Sequence, residues 1–111
     1  NLPLEFREVP KNSMQTYDAL IFFVKNRKQA LECRSSLLKQ NISTKILPEA
    51  YTWHFSPTWT HMPELKYKYN NCQYSKKFIN RAVSIPINCK MEIDFPEKVL
   101  ISLKKVFKKY G

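Results

Sequence analysis

Residues 17–24 read YDALIFFV, and this run decides the fold class. It is apolar almost throughout and of strand length, too short for an ordinary buried helix. A run with little polar alternation implies a strand covered on both faces. The flanking segments are therefore read as the elements that cover it.

Downstream, Asn26 is placed to cap a helix over residues 27–40. Ala30, Leu31, Leu37 and Leu38, with Arg34 between them, follow a helical stripe. Asn41 offers a left-handed stop, and residues 42–47 (ISTKIL) return as a strand. Upstream, Leu2, Leu4 and Phe6 alternate in the manner of a short strand.

Farther on, Ser75 is placed to cap a short helix over residues 75–82, and residues 83–87 (VSIPI) form a strand with Pro86 near its edge. Asp94, Pro96 and Glu97 make a helix start with a capping-box arrangement. Val99, Leu100, Leu103, Val106, Phe107 and Tyr110 then share one face, while Lys104, Lys105, Lys108 and Lys109 fall elsewhere. The order is β-α-β-loop-α-β-α. The fold class is α+β, α/β-like: one domain over residues 1–111, a few-stranded sheet with helices packed on it.

The loop in that order is the chemically richest part of the chain. Residues 44–65 read TKILPEAYTWHFSPTWTHMPEL and hold both histidines (His54, His61), both tryptophans (Trp53, Trp59) and Pro48, Pro57 and Pro63. Proline lacks the donor N–H and restricts its predecessor, so a long helix is excluded here. Long aromatic loops on small domains commonly carry binding groups. A histidine in such a loop either packs or meets a ligand, and the residues alone leave both roles open.

Composition narrows the classes. At 111 residues, 43% apolar and 14% aromatic, the chain is sized for one folded domain and is not disordered. No apolar run approaches the roughly 20 residues that span a bilayer. Residues 1–10 (NLPLEFREVP) lack the apolar core of a signal peptide, and the missing initiator methionine suits processing and a cut from a longer chain equally. Cys33, Cys72 and Cys89 are an odd, sparse set, read as reduced thiols in a cytoplasmic protein, with Cys33 and Cys89 as small core fillers.

The sole glycine is Gly111, which excludes a glycine-rich phosphate cradle. His54, His61, Cys72 and Cys89 match no paired zinc spacing, so no metal is expected. Nothing local supports a Cys–His nucleophile. The net charge of +10, with Tyr67, Tyr69 and Tyr74 among Lys66, Lys68, Lys76 and Lys77, keeps a basic nucleic-acid-binding or protein-interaction module as the alternative. No RNA-binding sheet motif accompanies them, and nucleic acid stands as the less favoured partner.

The stretch STKILPEAYTWHFSPTWTHM, followed by NRAVSIPINCKM and the closing amphipathic helix, resembles the C-terminal small domain of the DegT/DnrJ/StrS sugar aminotransferases. That family has a loop with two histidines, a helix, an Arg-x-x-Ser-Leu-Pro-like strand and a last helix. His54-Phe55 matches the first histidine position and His61 the second. Arg81 through Pro86 matches the strand entry, with Ile85 in place of leucine. Trp53-His54-Phe55 with Thr58-Trp59-Thr60-His61-Met62 is most similar to the transaminases that make 8-amino-3,8-dideoxyoctulosonate, a sugar acid of bacterial envelope polysaccharide. The resemblance runs from about Arg7 to Lys109.

The resemblance implies a fold type I, pyridoxal-phosphate-dependent enzyme. Its Schiff-base lysine and most phosphate contacts belong to a large domain. The chain by itself is then inactive and expected to bind no cofactor, with no catalytic residue of its own. Its implied partners are that large domain, a second subunit of a homodimer and the sugar, with no membrane. The implied substrate-binding residues are His61 and Trp59, then His54 and Trp53. Arg81 is read as structural before substrate-contacting.

Overall fold

The computed structural model describes residues 1–68 and 72–110. The elements, in chain order, are β1 (Glu5–Phe6), β2 (Ala19–Phe23), α1 (Arg27–Lys39), α2 (Tyr51–His54), a 3₁₀ turn (Ser56–Thr58), α3 (Pro63–Lys68), α4 (Gln73–Arg81), β3 (Ala82–Pro86) and α5 (Phe95–Phe107). The three strands form one antiparallel sheet in the order β1-β2-β3. The apolar run thus supplies the central strand, and the architecture is α+β.

Register sets the two faces. Phe22 pairs with Val83 and Leu20 with Ile85. Alternation along a strand sends Phe22, Val83 and Ile85 to one side. There they join Val24, then Ala30, Cys33 and Leu37 of α1, and Val99, Leu103, Val106 and Phe107 of α5, in one buried cluster. On the other side Phe23 meets Phe78 of α4 edge to face, with ring centroids 5.1 Å apart. Cover on β2 is therefore uneven, complete at Phe22 but leaving Leu20 part exposed.

Local chemistry explains the helix ends. Asn26 accepts from the Gln29 backbone N–H at 3.0 Å, the cap that the sequence implies. Asn41 adopts φ 59°, the left-handed region that asparagine tolerates. Asp94 does precede α5, but its carboxylate faces Lys98 Nζ at 3.1 Å instead of capping, so no capping box forms. The ammonium, which also meets Glu92 at 2.5 Å, offers a charged partner that the backbone N–H does not.

Four further expectations need correction. Residues 42–47 form no strand. Their tie to the sheet is one hydrogen bond, Lys45 N–H to Ser84 carbonyl at 2.8 Å, and the chain then turns through Ala50 N–H to Ile46 carbonyl at 2.7 Å. α4 starts at Gln73 after Cys72, which places Ser75 inside the first turn and not at the cap. Leu100 is 41% exposed, and Ser102 takes the buried position in its stead. At 100° per residue, Ser102 lies closer to the centre of the Val99–Val106 stripe than Leu100 does. Cys89 is exposed in the turn after β3, whereas Cys33 does fill the core. Asn70-Asn71, a turn signal in the sequence, lies outside the described residues.

Candidate functional site

The aromatic segment leaves the fold at a firm root. Pro48, Ala50 and Phe55 are buried. Glu49, between the first two, pairs with Arg34 on α1. Proline at 48, 57 and 63 breaks the segment into pieces too short for a long helix: α2, the 3₁₀ turn and the start of α3. Within those pieces the aromatic side chains meet in pairs. Tyr51 and Phe55, one turn apart on α2 and its end, stack with centroids 5.0 Å apart. Burial pushes the Tyr51 phenol above its usual range.

Three of the four sequence-predicted residues come together. Trp59 Nε1–H donates to the Trp53 carbonyl at 3.2 Å. The Trp59 and His61 rings stack with centroids 5.8 Å apart and an interplanar angle of 23°. Trp53 is 68% exposed, and His61 is exposed as well. His54 ends α2, and its side chain lies outside the described residues. Thr58 Oγ1 lies 2.7 Å from the Phe55 carbonyl and 2.9 Å from that of Thr52, closing the turn that separates the two tryptophans.

The result is an exposed aromatic surface with an imidazole on it. Such a surface stacks against the C–H face of a flat apolar or sugar-like ligand while the imidazole exchanges hydrogen bonds with hydroxyls. It is a wall and not an enclosed pocket. An apolar depression of about 390 Å³ lies elsewhere, between Leu20, Ile85, Ile87, Met91, Phe95 and Val99. Sequence reading missed it. Its signal was the apolar spacing of Ile87, Met91 and Ile93 in an otherwise polar connection.

Arg81 proves to be a pin. Its guanidinium sits 5.4 Å from the Phe23 ring centroid and 5.1 Å from that of Phe78. Nη1 also reaches Glu5 Oε2 at 2.8 Å and the Val24 carbonyl at 3.3 Å. The Arg81 hydrogen bond holds the Glu5 carboxyl below its usual value. Arg81 therefore joins β1, the end of β2 and α4 and is turned away from solvent, with 15% of its side chain exposed.

Among the described residues, no three of His, Cys, Asp and Glu converge as a metal site. Neither Lys98 nor the apolar depression offers a Schiff-base lysine. A Schiff-base lysine needs an amine that desolvation or a neighbouring cation makes easy to deprotonate. Lys98 is held the other way, raised by hydrogen bonds to Glu92 and Asp94. The apolar depression contains no lysine. No helix of the described residues is long and apolar enough to cross a membrane. No family model, no curated protein and no solved structure matches this chain.

Proposed function

We propose that the chain is the substrate-side small domain of a pyridoxal-phosphate-dependent sugar aminotransferase of the bacterial cytoplasm. Its substrate would be a keto sugar or keto sugar acid destined for envelope polysaccharide. The observation that carries the reading is the Trp59–His61 stack beside an exposed Trp53. It turns a run of residues that resembles the family's two-histidine loop into a surface suited to a sugar.

In this reading the cofactor, seated on a large domain, supplies the electron sink. The residues of this chain bind and orient. Trp59 presents an apolar face to the ring, His61 exchanges a hydrogen bond with a sugar oxygen, and Trp53 shields that contact from water. His54 remains a substrate-side candidate through its place in the motif. The apolar face of the loop and the cofactor domain would enclose the sugar between them, as domain interfaces commonly do. A second subunit completes the enzyme as a homodimer.

The test is to read the coding sequence upstream of Asn1 and assay the encoded protein. An in-frame domain with a Schiff-base lysine, and amino transfer to a keto sugar, supports the reading. A start codon directly before Asn1, with tight and steeply salt-dependent oligonucleotide binding, overturns it in favour of a basic binding module.

A further inference from the structure

Between residues 51 and 62 the described hydrogen bonds stay within the segment or return to its root, apart from Leu65 N–H of α3, which donates to the Met62 carbonyl at 3.1 Å. Trp53 N–H reaches the Ala50 carbonyl, Thr58 N–H that of Phe55, Trp59 N–H that of Ser56 and Met62 N–H that of Trp59. The side-chain bonds of Thr58 and Trp59 close on Thr52, Phe55 and Trp53. The aromatic surface thus holds itself together, rooted on the domain at residues 45–50 and running on into α3. Among the described residues, the polar ties there are the Lys45 backbone bond to Ser84 and one side-chain pair, Arg34 with Glu49.

That pair is placed to set direction. Arg34 lies on α1 at the border of the face that Ala30, Cys33 and Leu37 lock into the core. Its side chain is only 18% exposed, so its position is fixed by packing as well as charge. Glu49 sits between buried Pro48 and buried Ala50, two residues before α2 begins at Tyr51. Holding Glu49 from α1 fixes the angle at which α2, and with it Trp53, leaves the domain. A groove lined by Leu31, Arg34, Ser35, Leu38, Lys39 and Glu49 runs beside the pair, leaving room for the segment to swing if the pair is broken.

We infer that Arg34 is a positioning residue that acts through Glu49 to orient the Trp53–Trp59–His61 surface. The inference deepens the proposed function by naming what aims its ligand wall. Its test, however, needs no sugar. Trp53 and Trp59 are the only tryptophans of the chain, so tryptophan emission reports this surface alone.

The experiment compares acrylamide quenching and near-ultraviolet circular dichroism of the wild type, Arg34→Ala, Glu49→Gln and the swap Arg34→Glu with Glu49→Arg. Each is measured at low salt and at about 1 M salt, where surface charges are screened. Far-ultraviolet spectra confirm that each variant is folded, and the near-isosteric Glu49→Gln keeps the test alive if Arg34→Ala does not fold. The expected result is a changed quenching constant in both single variants and its return in the swap. Wild type alone of the first three should respond to salt. For any sugar later shown to bind, the single variants should bind about two- to fivefold more weakly, the range of a part-exposed ion pair. Unchanged quenching in folded Glu49→Gln, or a swap that restores nothing, overturns the inference. If sugar binding fails everywhere but the quenching pattern holds, the proposed function falls and the positioning role stands.

Discussion

Trp59 Nε1–H donates to the carbonyl of Trp53, six residues earlier and 3.2 Å away. This bond makes the two tryptophans one surface. It also fixes which Trp59 face remains for His61. Replacing Trp59 by phenylalanine keeps an aromatic face but removes the donor. The expected loss is about 0.5–1.5 kcal/mol of local order, seen as faster amide exchange at Trp53 with little change in global unfolding.

His61 is the polar group on that surface. If the chain belongs to the proposed aminotransferase, His61→Ala in that enzyme should lower kcat/KM roughly 5- to 150-fold, the effect of one good polar contact. Steady-state kinetics against the keto sugar is the measurement, and an unchanged kcat/KM removes His61 from the binding set.

Arg81 and Glu5 predict an acid-side loss of stability. The folded Glu5 pKa is lowered, chiefly by its hydrogen bond to Arg81. A lowered folded pKa means that the carboxylate favours the folded state above its unfolded value of 4.5. The contribution should fade as pH falls through the still lower folded value. Urea unfolding of wild type and Glu5→Gln should therefore differ at neutral pH and converge in acid. A gap that widens on acidification contradicts the pairing.

Cys33 should be chemically silent. Burial, with a smaller push from Glu32, raises its thiol to about 12, so thiolate is scarce at neutral pH. Ellman's reagent should label exposed Cys89 quickly and Cys33 only as fast as the protein unfolds. Labelling of Cys33 at the rate of Cys89 would show that α1 opens readily.

Ser102 is fully buried on α5, and its hydroxyl has no partner among the described atoms. A buried hydroxyl left unpaired is destabilising, and alanine is also the better helix former. Ser102→Ala should raise stability by about 0.5–2 kcal/mol in denaturant unfolding. A loss of stability would mean that the hydroxyl is hydrogen-bonded, by water or by a shifted neighbour.

Strong local signals survived folding, while competing partners altered weak ones. The apolar run at residues 17–24 contains the central strand, and Asn26 caps its helix as read. Asp94 lost its cap bond to Lys98, a neighbour whose reach the sequence does not fix. The strand expected at residues 42–47 failed because alternation cannot foresee that only Lys45 meets the sheet before the turn at Ile46. Trp53, Trp59 and His61 were legible as a set by residue type alone. The Arg34–Glu49 pair was not, since it joins positions fifteen residues apart through tertiary packing.

The sheet's two margins carry a consequence for the protein in crowded solution. β1 is only two residues long and bears Glu5. On the far side, Lys45 already occupies the Ser84 carbonyl, and Pro86 ends the strand with no N–H to offer. Neither margin presents a ladder long enough to template a foreign strand. Despite its rich stock of aromatic residues, this domain is guarded against fibre growth by the same short strands that leave its aromatic segment free to project.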